Sequence, residues 1–142
     1  MIETIYIELP FEKITYLDRP EFHKEEKEFK DALTRSMKTH GMKDPVYCWY
    51  NSKPYKDKIH IIVGNNRMTV AKGLGIKTIK AVVTNFEADK FPLKGEVLET
   101  DAEIKKFFHL PNDLQIRRDE NGNVDQVMPV HYMKEGVREE YV

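Results

Sequence analysis

Between Val63 and Val83 the chain reads VGNNRMTVAKGLGIKTIKAVV, and this stretch limits the fold more tightly than any other. The apolar run that reaches Gly64 has strand character, and Met68, Ala71 and Leu74 then recur at helical spacing with Lys72 outside. Gly75 followed by Ile76 predicts a glycine stop, in which a left-handed residue ends the helix and the next apolar side chain folds back on its last turn. The segment TIKAVVTNF from Thr78 returns to strand character. Strand, helix and strand within about 25 residues predict a βαβ-like unit, and with it an α/β or α+β layered domain.

The flanking sequence supplies more elements of both kinds. Ile5 and Ile7 alternate with Tyr6 in a short strand that ends near Pro10, and PFEKITYLDRP reads as an extended connection. A helix is expected from about Pro20, where a missing N–H costs nothing, to Gly41. Phe22, Phe29, Leu33 and Met37 form its apolar side. PVYCWY, from Pro45, is a strand with Val46, Cys48 and Tyr50 on one face; NSKPYKDK is a polar turn, and IHIIVG is the next strand. After Phe86, DAEIKKFFHL predicts a short helix with Ile104, Phe107 and Phe108 inward. The residues around Asn121-Gly122 alternate as a hairpin with a two-residue type I′ turn, and HYMKEGVREEYV reads as a solvated tail. Residues 1–90 are thus expected to form the core, with residues 91–142 as an extension packed on the same domain.

A chain of 142 residues with 40% apolar side chains can bury one domain core. Its 23 Lys and Arg nearly balance 24 Asp and Glu, so the net charge of -1 gives no global attraction to a polyanion, and any phosphate site must be local. MIETIYIELP lacks a basic start followed by an apolar block, and nothing approaches the ~20 apolar residues of a membrane span. No membrane association and a cytoplasmic location are therefore expected. Cys48 is the single cysteine, which excludes an internal disulfide; inside an apolar strand it reads as a small buried hydrophobe.

The corner at Gly64 raises a chemical question. A helix start exposes unpaired N–H groups and the positive end of the helix dipole, and a glycine there lets a ligand approach. Arg67 adds a fixed charge and a flat donor fork that matches phosphate oxygens, while Asn65 and Asn66 add neutral donors. The alternative from spacing alone is that Gly64 makes the turn, Asn65 caps the helix and Arg67 is a solvated surface residue.

From Leu9 to Phe86 the chain resembles the N-terminal domain of ParB-type partition proteins, a fold shared with sulfiredoxin and with free-serine kinases. LPFEKITYLDRPE is similar to that family's opening strand and its link to the first helix. ALTRSMKTHGMKDPVYCWY is similar to its helix with Ser36-Met37, then Gly41, then Pro45 opening a strand. IIVGNNRMTVAKGLGIKTIKAVV is similar to its strand, Gly-x-x-Arg box, helix, Gly-Ile turn and final strand. The resemblance implies a small mixed sheet with packed helices, here followed by a C-terminal helix and hairpin. It also implies a nucleotide site: Gly64, Asn65, Asn66, Arg67 and Thr69 around the phosphates, Ser36 near them, and His40, Gly41, Lys43 and Pro45 lining the same pocket. A nucleoside phosphate with Mg2+ is the implied ligand, and phosphoryl transfer to a small-molecule acceptor or nucleotide hydrolysis is the implied chemistry.

Departures from the family pattern narrow this. Partition proteins usually read Gly-Glu-Arg-Arg in the box; here Asn65 replaces the Glu and Asn66 the first Arg, and Thr69 replaces a later Arg. An amide cannot act as the lost carboxylate would. Sulfiredoxin needs a cysteine in this box, and position 65 is Asn, so that activity is discarded. Glu21, Glu25, Glu26 and Asp44 are candidate bases that spacing does not separate. The rival class is a non-catalytic DNA-binding or protein-interaction module, with Lys53, Lys56, Lys58 and Lys72 as a local basic face. The small size suits a phage or plasmid protein by association. DENGNVD mimics a calcium loop, but Val124 stands where glycine is required and Val130 where Glu must close it. The five histidines show no metal spacing.

Overall fold

The computed structural model describes residues 2–18, 27–51 and 53–130. Among these residues, eight strands and three α-helices follow in the order β1 (Ile2–Pro10), β2 (Ile14–Thr15), α1 (Lys27–His40), β3 (Val46–Tyr50), β4 (Ile59–Val63), α2 (Asn65–Leu74), β5 (Thr78–Glu87), β6 (Glu96–Val97), α3 (Asp101–Lys105), β7 (Leu114–Arg118) and β8 (Val124–Pro129). The first six strands form one mixed sheet in the order β2-β4-β3-β5-β1-β6, and β7 and β8 pair as a separate hairpin. The class is α+β, as the alternating elements require.

The strand-helix-strand unit differs from a βαβ crossover. β4 and β5 are not neighbours: β3 lies between them, antiparallel to β4 and parallel to β5. β4 and β5 therefore run in opposite senses, and α2 carries the chain over the intervening strand. The link after Pro10 is also less extended than its sequence suggests. Phe11–Lys13 makes one 3₁₀ turn, and Ile14 and Thr15 then pair in parallel with Ile59 and His60 as the edge strand β2. Pro20, Phe22 and Glu25, with which the first helix was expected to open, lie outside the described residues, as does the tail from His131. The helix does stop at His40, and Gly41 N–H donates to Met37 O at 2.9 Å.

Both faces of the sheet are covered. On one, Leu33 and Met37 of α1 and Met68 and Ala71 of α2 pack against Val46, Cys48, Ile61 and Val83. On the other, Tyr47 and Val82 meet Ile104 and Phe108 around α3, and Leu114, Val124 and Val127 of the hairpin. The alternation of β3 thus feeds two cores, and burial pushes the Cys48 thiol far above its usual range. β5, enclosed on both faces, reads as a continuous buried run from Ala81 to Thr84. The one hydroxyl in that run, on Thr84, bonds Thr4 Oγ1 at 2.9 Å and donates to Val124 O at 3.1 Å.

The hairpin turn is a correction in detail. A type I′ turn needs positive φ at both Asn121 and Gly122, but only Gly122 has it, at 83°. Gly122 N–H donates to Asp119 O and Asp119 N–H to Asn123 O, which makes a three-residue loop with a bulge. The Asp119 carboxylate selects this loop by accepting from Asn121 N–H at 2.9 Å and Asn123 N–H at 3.0 Å.

Candidate phosphate-binding cleft

α2 begins at a glycine that nothing else could replace without strain. Gly64 has φ 129°, and a Cβ built on it would lie 2.7 Å from Val46 Cγ1 and 3.2 Å from Arg67 Nη2. The first intrahelical bond runs from Met68 N–H to Gly64 O at 2.9 Å. As the N-cap, glycine has no side-chain oxygen to offer the N–H groups of the first turn.

Asn65 does not cap this helix. It is the first helical residue, and its Oδ1 accepts from Leu17 N–H at 2.8 Å, pinning the segment after β2 against α2. A second tie comes from Lys72, whose Nζ lies 3.0 Å from Asp18 Oδ2; that hydrogen bond raises the Lys72 pKa. Lys72 is thus committed to α2's own surroundings, on a different element from Lys53, Lys56 and Lys58 of the β3–β4 turn. Thr69 Oγ1 donates to Asn65 O at 3.0 Å, within the helix.

Arg67 is half-buried, and its guanidinium is held by neutral groups. Nη1 donates to Asp44 O at 2.7 Å and to Pro45 O at 3.3 Å. Among the described residues no carboxylate lies within ion-pair distance of it. A positive charge is therefore fixed beside the α2 N-terminus and, among the described residues, left without a carboxylate partner.

These groups border a cleft of about 440 Å³. Its polar side is Gly64, Asn65, Asn66 and Arg67, and its apolar walls come from Leu17, Phe29, Ile62 and Met128. Leu17, 68% exposed, stands at the mouth. An apolar wall facing convergent donors is the usual composition of a small-molecule site. Leu17, Phe29 and Met128 carry no motif that a sequence could show; they come from a loop, a helix and the C-terminal hairpin.

The remaining expected residues fall elsewhere. Pro45 lines a small neighbouring cavity shared with Arg67 and Phe108. Ser36, His40, Gly41 and Lys43 are not among the described residues that line the cleft. Asp44, one of the four candidate bases, is buried and turned to the C-terminal extension: its Oδ1 accepts from His109 N–H at 2.9 Å and lies 2.7 Å from His109 Nδ1. Glu21, Glu25 and Glu26 lie outside the described residues. No group of three or more His, Cys, Asp or Glu among the described residues could hold a metal. No helix among them is long and apolar enough to cross a membrane.

A mixed sheet with a glycine-started helix and a fixed arginine at one strand end defines the class. Residues 2–92 match the ParB N-terminal domain, and the chain belongs to that family. No curated protein is similar enough to count as a match. Among solved structures, the C-terminally truncated chromosome-partitioning protein ParB from Caulobacter crescentus, complexed with CTP-gamma-S, is 20% identical, with 61% of this chain and 47% of that one covered and a TM-score of 0.46. The truncated Caulobacter protein complexed to the centromeric parS site is 22% identical, with 58% and 42% covered and a TM-score of 0.43. A free serine kinase in complex with AMP is 19% identical, with 84% and 48% covered and a TM-score of 0.43. The chain spans less than half the length of these proteins.

Proposed function

We propose that the Gly64–Arg67 cleft binds a nucleotide, with its phosphates at the N-terminus of α2 and its base or ribose against Phe29, Leu17 and Met128. The observation that carries this reading is Arg67: a half-buried guanidinium with carbonyl partners and no carboxylate among the described residues, beside a helix start without a side-chain cap. A phosphate would supply the missing negative charge and accept from both Arg67 and the helix N–H groups. Mg2+ would arrive on the phosphates, keeping most of its waters, since the described lining offers amides and no carboxylate.

The chemistry we assign is phosphoryl transfer to a small-molecule acceptor or nucleotide hydrolysis. Arg67 and the backbone of Asn65 and Asn66 would hold the phosphates, while Ser36 and Lys43, which do not line the cleft, are given no part. Asp44 is engaged with His109, so Glu21, Glu25 and Glu26 are the candidates for the base. A second reading, a nucleic-acid-binding module, draws on one observation: Tyr55, 39% exposed, stacks on His60 at 4.5 Å in a turn that also carries Lys53, Lys56 and Lys58.

Thermal stabilisation by nucleoside mono-, di- and triphosphates with Mg2+ tests the first reading. At a hundredfold excess over its dissociation constant a ligand adds about 2.7 kcal/mol of stability. One nucleotide should stabilise the wild type and lose that effect in Arg67→Ala, each protein compared with its own ligand-free state. Equal stabilisation of both, or none of either together with salt-dependent binding of single-stranded DNA, would overturn it in favour of the second.

A further inference from the structure

Besides the Met128 wall, the C-terminal extension reaches the cleft by a second route, through the connection between α3 and β7, that involves no ligand contact. Asp44 carries a buried carboxylate, its side chain 7% exposed, and such a group is stable only when hydrogen-bonded. Its described partner is a single residue, 65 positions away, which supplies both a backbone N–H and a ring nitrogen to the same oxygen. On its other side the Asp44 carbonyl receives Arg67 Nη1, and the next carbonyl, of Pro45, shares that donor. Proline fixes φ at position 45, which removes one of the torsions that separate the two carbonyls. Among the described residues, the Arg67 guanidinium makes no other hydrogen bond. The position of its guanidinium is therefore set by the Asp44–Pro45 backbone, and that backbone is set by His109.

We infer that His109 and Asp44 are positioning residues for Arg67, a relay through which the connection between α3 and β7 sets the phosphate-binding geometry of a cleft that connection does not line. This rests on the phosphate reading given above. Neither residue touches the ligand. The relay joins the matched family segment, residues 2–92, to the chain beyond it. Phe108, next to His109, lines the same small cavity as Asp44, Pro45 and Arg67, so the two ends of the relay share one packed environment.

Two measurements separate the relay from the reading it serves. The first needs no ligand. Side-chain NMR of Arg67 in the free protein should show resolved, slowly rotating Nη groups in the wild type, and His109→Ala should abolish them. Asp44→Asn, which keeps a carbonyl acceptor for His109, should preserve them. The second compares binding of CTP with cytidine and of ATP with adenosine. His109→Ala should weaken the triphosphate that binds roughly tenfold, within the range of coupling in a shared network, and leave its nucleoside unchanged. In an Arg67→Ala background the same change should have no further effect. Restrained Nη groups in His109→Ala, or equal losses for nucleoside and triphosphate, would overturn the relay. Loss of restraint in a protein whose wild type binds neither triphosphate would instead overturn the phosphate reading, and with it the purpose assigned to the relay.

Discussion

Replacing Gly64 with alanine tests the geometry on which the cleft depends. The new methyl would sit 2.7 Å from Val46 Cγ1, against the roughly 3.5–4.0 Å at which carbon atoms attract. Val46 is fully buried in the centre of the sheet and cannot retreat. Forcing this contact costs about 1–3 kcal/mol, as other overpacked sites do. Holding a non-glycine residue at φ 129° costs of order 1–3 kcal/mol more. With an unfolding entropy near 2.1 cal/mol/K per residue, a loss of about 3 kcal/mol lowers Tm by roughly 10 °C in a chain of this length. Gly75→Ala is the control: φ there is 71° with nothing within 4 Å of the added carbon, so only the left-handed backbone is penalised, at about 1–2 kcal/mol. Differential scanning calorimetry of the two variants reads the difference directly. A Val46→Ala background, which removes Cγ1, should reduce the cost of Gly64→Ala while leaving that of Gly75→Ala unchanged. If the Gly64 and Gly75 variants melt together, the close approach of β3 to the start of α2 does not exist and the cleft floor is misdrawn.

Two further outcomes follow from side chains away from the cleft. Burial lowers the pKa of His60, so protons bind the unfolded chain more readily than the folded one. The stability from the neutral ring is complete above the unfolded pKa of about 6.5 and is lost as pH falls from there through the folded value. Urea midpoints at pH 7.5 and 5.5 should therefore converge in His60→Phe relative to the wild type, and an unchanged pH slope would refute the assignment. Tyr47 hydroxyl donates to Asp125 O and accepts from Trp49 Nε1, each at 2.6 Å, and so pins the hairpin to β3. Tyr47→Phe leaves both partners unmatched and should cost about 1–3 kcal/mol in urea unfolding with an unchanged m-value. A loss below roughly 0.5 kcal/mol would mean that water substitutes for the hydroxyl.

How far the chain could be read in advance depended on whether a feature is local. α2, its glycine stop and the apolar strands were legible because periodicity and turn chemistry act within a few residues. β2 and β6 were not, since two-residue strands have no period and owe their form to Ile59, His60, Ile5 and Tyr6 opposite them. The placing of β3 between β4 and β5 is likewise invisible in spacing, because strand order is decided by which faces the helices must cover. At the cleft, the Gly64 and Arg67 pair was legible as a corner. The Asn65 side chain was misjudged because its partner, Leu17 N–H, is 48 residues away. Asp44 stood among four candidate bases that spacing does not separate for the same reason: the histidine that occupies it lies beyond any motif window.

The pairing of β1 with β5 has a consequence for how the chain is assembled. Ile2 faces Glu87 and Pro10 faces Thr78, so the earliest described strand meets its principal neighbour only after the 67 residues between Pro10 and Thr78 have been synthesised. Loop closure over that distance is slow compared with formation of α1, α2 or the β3–β4 pair. Until it happens, Ile5, Ile7 and Leu9 form an open apolar edge, and β5 presents a matching unpaired one. Closing β1 onto β5 is therefore the step of assembly at which unpaired strand edges stay exposed longest.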